Sequence, residues 1–588
     1  MDRSATKWRL VRQTRVRVLA HGAVRALKSA CLCASFGALS VFAQTVETPD
    51  DLLRRQSDQI QDIKARNDPQ SAVRSDEPES RLVKRIPAAE EPCIQIAAVK
   101  LLGAFAGDLT NTLAGEDGND PPQGKCIGSQ GVQTLIDRVQ NALIARGLVT
   151  TRVHAPDQDL NSGTLVLEIT PGRVGTIRAA GSPVSPIKTS ACAFSEGQVL
   201  NLRDIEQTVE NVRRLAGADL KVEIVPSETP GFSDLVLSYA TGRPIWANLG
   251  IDDTGSRSTG KLQGNLALHW DNPLNRADSL YLGVGGDLGD RWSGPRGTDN
   301  HLVSYSIPFG YWTLQGSASR SRYTQQVAGA FQNYAFHGRS GDARLKLERV
   351  AYRSADARTI VSLEGFSRRS ENYIDDTEVL VQRRRTGGWE LAAEHTQYLP
   401  TSTWNFEYRY RRGTGAFGAI AAPEELFNEG TSRMRLSQVQ VRYQTVLPSL
   451  GLPGLAPGFS STWRSQWAHT PLTPQDRFCF GGRYTVRGFD GASSMCGDSG
   501  WSSRNEVTLA LPETPVQLYA GLDAAKARGP SAAPSSWLLG WVTGFRASLR
   551  SQASAQIQLD AFLGIPLRMP SWFSSSDYTG GFNLQVLF

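Results

Sequence analysis

The sequence predicts two small α/β units followed by a sixteen-stranded antiparallel transmembrane β-barrel. Three observations lead there. The last ~340 residues alternate apolar and polar side chains with a period of two, which gives strands one greasy face and one wet face. The alternation is plain where the chain ends. Tyr578, Gly580, Phe582, Leu584, Val586 and Phe588 are apolar or small, and Thr579, Gly581, Asn583 and Gln585 separate them, with Leu587 a misfit. Finally, no segment beyond the N-terminal region has about 20 uninterrupted apolar residues, so a chain resident in a membrane must cross it as a closed sheet.

The elements follow in chain order. Residues 1–43 read as a secretory signal peptide. They hold eight Lys/Arg against the single acid Asp2, then a short apolar run from Ala30 to Phe42 and a small-residue cleavage site at Val41-Phe42-Ala43. This segment contributes +7 to a chain whose formal charge is +6. The rest of the chain is nearly neutral, which leaves a nucleic-acid reading without support. Residues 44–67 read as a polar helix opened by Thr48 and Pro49, with a thin apolar stripe of Leu52, Leu53, Ile60 and Ile63. Such a helix cannot build a core, and is a lumen plug, a docking helix or a solvated arm. Residues 68–92, rich in charge and X-Pro steps, read as a flexible linker.

The first α/β unit, 93–172, opens with a strand from Ile94 to Val99. A helix follows with Val132, Leu135, Ile136, Val139 and Leu143 on one face and Gly147 at its end, and strands 149–155 and 164–170 finish the unit. The second unit, 173–242, repeats the order. A strand at 174–179 precedes a helix capped by Asn201 with Ile205, Val209, Val212 and Ala216 inward, and strands 220–225 and 234–239 close it. From 243 to 588 the helical period disappears. Strand starts fall near 244, 260, 278, 297, 311, 331, 358, 380, 402, 437, 459, 500, 515, 536, 554 and 577. The clearest strand sets Trp404, Phe406, Tyr408 and Tyr410 outward and Asn405, Glu407, Arg409 and Arg411 inward. A soluble sandwich would leave those aromatics in water. A signal peptide and a barrel together place the protein in the outer membrane of a Gram-negative cell.

Five cysteines remain beyond the signal region. In an oxidising periplasm Cys93 with Cys126, and Cys479 with Cys496, read as two local disulfides, leaving Cys192 as a buried free thiol. Their spacing and the scattered histidines do not fit a metal site, and no cofactor is expected. Gly497-Asp498-Ser499-Gly500 copies a serine-protease motif, but a tight turn into a strand accounts for it equally well. No nucleotide-binding or hydrolase motif stands in good context, and the protein is not expected to be an enzyme.

The longest late loop, 471–499, contains Phe480-Gly481-Gly482-Arg483-Tyr484-Thr485-Val486-Arg487-Gly488-Phe489. This run, on the sixth surface loop of a sixteen-stranded barrel behind two strand–helix–strand–strand units, resembles the transporters of two-partner secretion. Asn141 to Val153 and Asn201 to Gln207 are similar to that family's signatures in its first and second POTRA domains. The cysteine pair Cys93 and Cys126 resembles the haemolysin and contact-dependent-inhibition transporter subtype. The resemblance covers essentially the whole mature chain.

It implies a fold of periplasmic POTRA-like repeats followed by the barrel, and a function as an outer-membrane translocator. Such a protein recognises the N-terminal secretion domain of one large exoprotein (a haemolysin, adhesin or inhibition toxin) and exports it through its own lumen without nucleotide. The resemblance also implies that the loop folds inward, with motif residues Gly481, Gly482, Tyr484, Val486, Arg487, Gly488 and Phe489. Its arginine meets an acid in Tyr519-Ala520-Gly521-Leu522-Asp523. Strand parity independently turns Gly521 and Asp523 toward the lumen, and a carboxylate accepts the planar arginine fork. Phe588 is implied to be the signal read by the barrel-assembly machinery. The partners expected are the exoprotein, outer-membrane lipid and that machinery, with the transporter a monomer. The runner-up function is a barrel-assembly factor, which shares the Val-Arg-Gly-Phe loop. A passive porin would lack the two periplasmic units.

Overall fold

The computed structural model describes residues 85–588 except 116, 181–189, 216–217, 290–295, 449–456, 531, 534–535 and 551–554. The signal peptide, the polar helix and most of the linker therefore lie outside the described residues. Residues 85–92, read from sequence as the end of a flexible linker, instead pack onto the first unit. Ile86 is buried in that unit's core. The Glu90 carboxylate accepts the Gln130 N–H at 2.9 Å, satisfying a free amide at the start of the helix Ser129–Ala145, α1.

The first unit also opens differently from the expectation. The single strand 94–99 is two strands, β1 (Ile94–Ile96) and β2 (Ala98–Gly103). β1 pairs only with β3 (Lys125–Ile127), where Gln95 lies opposite Cys126, and the Cys93–Cys126 disulfide ties this small sheet. β2 belongs to a second sheet with β4 (Arg152–His154) and β5 (Thr164–Thr170). The N–H groups of Ala97 and Ala98 both donate to the Gly163 carbonyl, which is where the strand turns from one sheet to the other. Leu135, Val139 and Leu143 of α1 fill the core. At the rim Asp120 accepts from Arg138, Lys125 and the Ile86 N–H. Burial opposes its ionisation, but these donors outweigh burial and hold its carboxyl well below the usual carboxylate range.

In the second unit β6 (Arg173–Ala179), β7 (Ala218–Pro226) and β8 (Phe232–Thr241) form a sheet in the order β6-β8-β7 behind α2 (Leu202–Arg213). The Asn201 side chain accepts the Arg203 N–H as the N-cap. Cys192 is a free thiol, half-buried rather than buried, against this unit's core.

The barrel strands are β9 (Ile245–Asp252), β10 (Gln263–Asp271), β11 (Ser279–Asp287), β12 (Gly297–Phe309), β13 (Trp312–Ala328), β14 (Asn333–Arg353) and β15 (Ala357–Ile374). A two-residue extension, β16 (Thr377–Glu378), precedes β17 (Arg384–Tyr398), β18 (Ser402–Thr414), β19 (Arg435–Val446) and β20 (Pro457–Ala468). After the hairpin β21 (Phe478–Phe480) and β22 (Met495–Gly497), the wall resumes with β23 (Ser499–Ala510), β24 (Val516–Arg528), β25 (Trp537–Arg550), β26 (Gln556–Arg568) and β27 (Thr579–Leu587). β27 pairs with β9, so sixteen strands close an antiparallel barrel. Phe406, Tyr408, Leu518 and Leu522 are exposed on the outside, whereas Glu407, Tyr519 and Asp523 are buried on the inside. Among the described residues no helix is long and apolar enough to cross a membrane.

The second unit is bolted to three periplasmic turns. Ser190 Oγ donates to the Arg276 carbonyl at 2.8 Å, and Asn211 Nδ2 to that of Gly310 at 2.8 Å. Ala277 joins the unit's apolar core. Glu210 pairs with Arg353 and Arg358 across the β14–β15 turn. Tyr311 donates its hydroxyl to Asp204, whose carboxyl burial nevertheless holds above its ordinary value.

Candidate functional site

The segment between β20 and β23 spans 469–498, and the hairpin β21–β22 sets its base. Cys479 and Cys496 are register partners there and form a disulfide. Beyond them the chain turns through Gly481 and Gly482, whose N–H groups donate to Thr485 Oγ1. The tip then descends onto the inner wall formed by β24, β25 and β26. Val486 and Phe489 are buried with Phe480, Met495, Ala525, Leu538 and Phe573, a small apolar core inside the barrel. Phe489 meets Phe573 edge-on with centroids 5.9 Å apart.

The close approach depends on glycine. Gly488 has φ +107, and a Cβ there would lie 2.5 Å from the Ile565 carbonyl oxygen. On the wall opposite, a Cβ at Gly540 would lie 2.0 Å from the Arg487 carbonyl oxygen, and one at Gly564 2.8 Å from Gly488 Cα. Gly521 leaves room for the guanidinium, since a Cβ there would stand 2.7 Å from Arg487 Nη2.

In that space Arg487 is 6% exposed and Asp523 0%. Arg487 donates Nε to Asp523 Oδ2 at 2.7 Å and Nη2 to Oδ1 at 2.9 Å, a bidentate fork, and its backbone N–H adds a third bond at 2.9 Å. Parity alone missed a second acid. Glu506 on β23 takes Nη1 of Arg487. It also accepts Arg546 Nη1 at 2.6 Å, and Arg546 continues to Asp560 at 3.2 Å. Strand parity turns Glu506 inward, but only the register places it opposite Gly521. Tyr484 sits higher on the loop, where its carbonyl accepts Arg504 Nη1 at 3.2 Å. Arg483 reaches Asp253 on the far side of the barrel seam at 3.1 Å and stacks over the Phe562 ring.

The remaining residues singled out from sequence lie apart from this cluster. Phe588 is exposed on the outer surface, and its N–H donates to the Ala247 carbonyl across the seam. In the protease-like run, Ser499 Oγ accepts the Ala468 N–H and the Asp498 carboxylate accepts the Leu472 N–H, while Nε2 of His469 is engaged by Ser437.

The arrangement is a loop pinned inside a barrel by a buried ion-pair network, behind two periplasmic α/β units. The family model for haemolysin secretion/activation proteins (ShlB/FhaC/HecB) matches residues 231–547. A ShlB-type POTRA domain matches 98–172, and a further POTRA domain 173–226. The outer membrane transporter CdiB-2 of Burkholderia pseudomallei is 33% identical over 94% of this chain and 97% of its own. The haemolysin transporter ShlB of Serratia marcescens is 25% identical over 71% of this chain and 72% of its own. The solved structure of CdiB from Acinetobacter baumannii superposes with a TM-score of 0.79 at 28% identity, covering 92% of this chain and all of that one. CdiB from Escherichia coli gives 0.80 at 25% identity, covering 93% and 100%. With its POTRA domains in the periplasm and its barrel in the outer membrane, the chain belongs to the haemolysin secretion/activation family, the translocators of two-partner secretion.

Proposed function

We propose that this translocator receives the N-terminal secretion domain of one large exoprotein on its POTRA sheets and passes the unfolded chain through the lumen, past the loop pinned by Arg487. The cargo is a haemolysin, an adhesin or an inhibition toxin. β7 and β6 are the outer strands of the second POTRA sheet, and an extended segment can add to such an edge by main-chain hydrogen bonds. The observation that carries the reading is the Arg487 fork on Asp523, because a surface loop spends its buried charge inside the channel instead of in water. The test is secretion of the cognate exoprotein by Arg487→Ala and Asp523→Ala transporters. Each is expected to secrete far less while its barrel remains heat-modifiable. The double variant should be no worse than Arg487→Ala, because the two groups act as one unit. Normal secretion by Arg487→Ala overturns the reading.

Two finer roles belong to the same proposal. Residues 44–67 plug the resting lumen, so deleting them raises ion conductance in planar bilayers; unchanged conductance makes the segment a mere arm. Phe588 is read by the barrel-assembly machinery, so its removal lowers the yield of folded barrel, and a normal yield removes that role. The working unit is a monomer, which light scattering of the detergent-solubilised protein checks.

A further inference from the structure

The outward face of one wall carries a pattern that protein export does not explain. At the extracellular ends of three neighbouring hairpins, arginines stand directly opposite arginines. Arg322 faces Arg339, Arg369 faces Arg385, and Arg412 faces Arg435. Parity puts all six on the lipid side, and the inward neighbours of Arg369, Arg385 and Arg412 show the alternation. Arg368 turns to Asp342 and Asp476, Arg384 to Glu424, and Arg411 to Glu390. Each inward arginine has its carboxylate. In the outward set Glu371 lies 2.7 Å from Arg339 and 3.9 Å from Arg385. Among the described residues no carboxylate lies within 4.0 Å of Arg369, Arg412 or Arg435.

Like charges directly opposite on a sheet repel. The same chain shows how it settles such a pair elsewhere. Arg353 and Arg358 are also register partners, and the Glu210 carboxylate bridges them. The three outer pairs sit just above the apolar band, with Leu345, Leu363, Leu391 and Tyr408 exposed below them on the same strands. At that depth arginine is tolerated and can reach headgroups. One further observation points at lipid. The start of the loop after β18 lies on the outside: Phe417, at φ +58 and 61% exposed, rests on the outer wall against Gly387 and Gly365, beside Arg385 and Arg369. A bulky residue in that conformation is strained and needs a compensating contact.

We infer that this wall binds the phosphorylated glycolipid of the outer leaflet: its phosphates bridge the three opposed arginine pairs bidentately and its acyl chains pack on Phe417. The test compares wild type with Arg322→Gln/Arg369→Gln/Arg412→Gln, which removes one member of each pair. Arg442→Gln serves as a control, since that side chain faces the lumen and donates to Asn405. Each full-length protein is placed in phosphatidylethanolamine vesicles with or without lipid A. Lipid A should raise the wild-type and control unfolding temperatures and bind the triple variant about tenfold or more weakly, as loss of several charge-assisted contacts requires. Without lipid A the triple variant should be at least as stable as wild type, because its like-charge pairs are gone. Equal lipid A binding by the triple variant overturns the proposal. So does inorganic phosphate that reproduces the shift, which makes the belt a free-anion site.

Discussion

Two walls of the same barrel hold their charges differently. On the lumen side of β14, β15, β17 and β18 the charges fasten one another. Arg344 reaches Asp342 at 2.6 Å and Glu364 at 3.0 Å, Arg368 reaches Asp342 at 3.5 Å, and Arg411 reaches Glu390 at 2.7 Å. Asp342 and Glu390 are each within reach of two cations. On β24, β25 and β26 the wall is instead cleared by glycine, and its acid Asp523 waits for an arginine delivered by a loop. Arg504 is 4.0 Å from Asp523, too far to replace the fork. The first wall is held mainly by its own strands. The second is complete only while the loop is in place, so a conformational change strands Asp523 on one wall and, on the other, removes only the contact of Arg368 with Asp476, leaving Arg368 with Asp342.

The sharpest way to break this contrast is to refill the glycine wall. Gly540→Val puts side-chain atoms where the Arg487 carbonyl now sits, so the loop must leave. Secretion should drop to background with the barrel still folded, as the closed ladder does not depend on the loop. Secretion at the wild-type rate would show that the loop need not touch this wall.

Next in size is the charge itself. Arg487→Ala strands a fully buried carboxylate and should cost about 3 kcal/mol. Arg368→Ala leaves Asp342 with Arg344 at 2.6 Å and Asp476 with the Thr473 hydroxyl at 3.2 Å, and should cost no more than about 1 kcal/mol. Equal losses in denaturant unfolding would erase the difference between the walls. The smallest effect on barrel stability belongs to the Cys479–Cys496 bond. It stabilises the loop base by about 3 kcal/mol in the chain-entropy model, but only against loop opening. Cys479→Ser/Cys496→Ser should therefore increase proteolysis within 480–495 and leave barrel melting unchanged; no change in cleavage would leave the bond without a holding role.

Much of this could be read from the sequence, and the reasons differ by element. Strand placement was legible because lipid on one face and water on the other force a strict alternation. Arg487 and Asp523 could be paired because the family resemblance pointed to the segment and parity chose the residue. Glu506 escaped because its role comes from register: only the pairing of β23 with β24 sets it opposite Gly521. The glycine wall escaped for a related reason. Gly540 and Gly564 look like ordinary small residues until the loop backbone is seen resting on them. The break between β1 and β2, and the burial of Ile86, are tertiary choices with no local period to announce them.

The seam has a consequence for the order in which the molecule is made. β13 and β14 pair all the way from Trp312–Arg349 to Ala328–Asn333, and they are neighbours in sequence. β27 and β9 pair only from Asn583–Asp252 to Leu587–Asn248, with the Phe588 amide adding one bond to Ala247. The Phe582 amide reaches Asp253 across 329 residues. Closing so long a loop loses the most chain entropy for the fewest bonds, so it forms after the local hairpins have narrowed the search. The nascent sheet therefore stays open along this line until the end, with β9 already tethered to the second POTRA domain and Phe588 supplying the last bond.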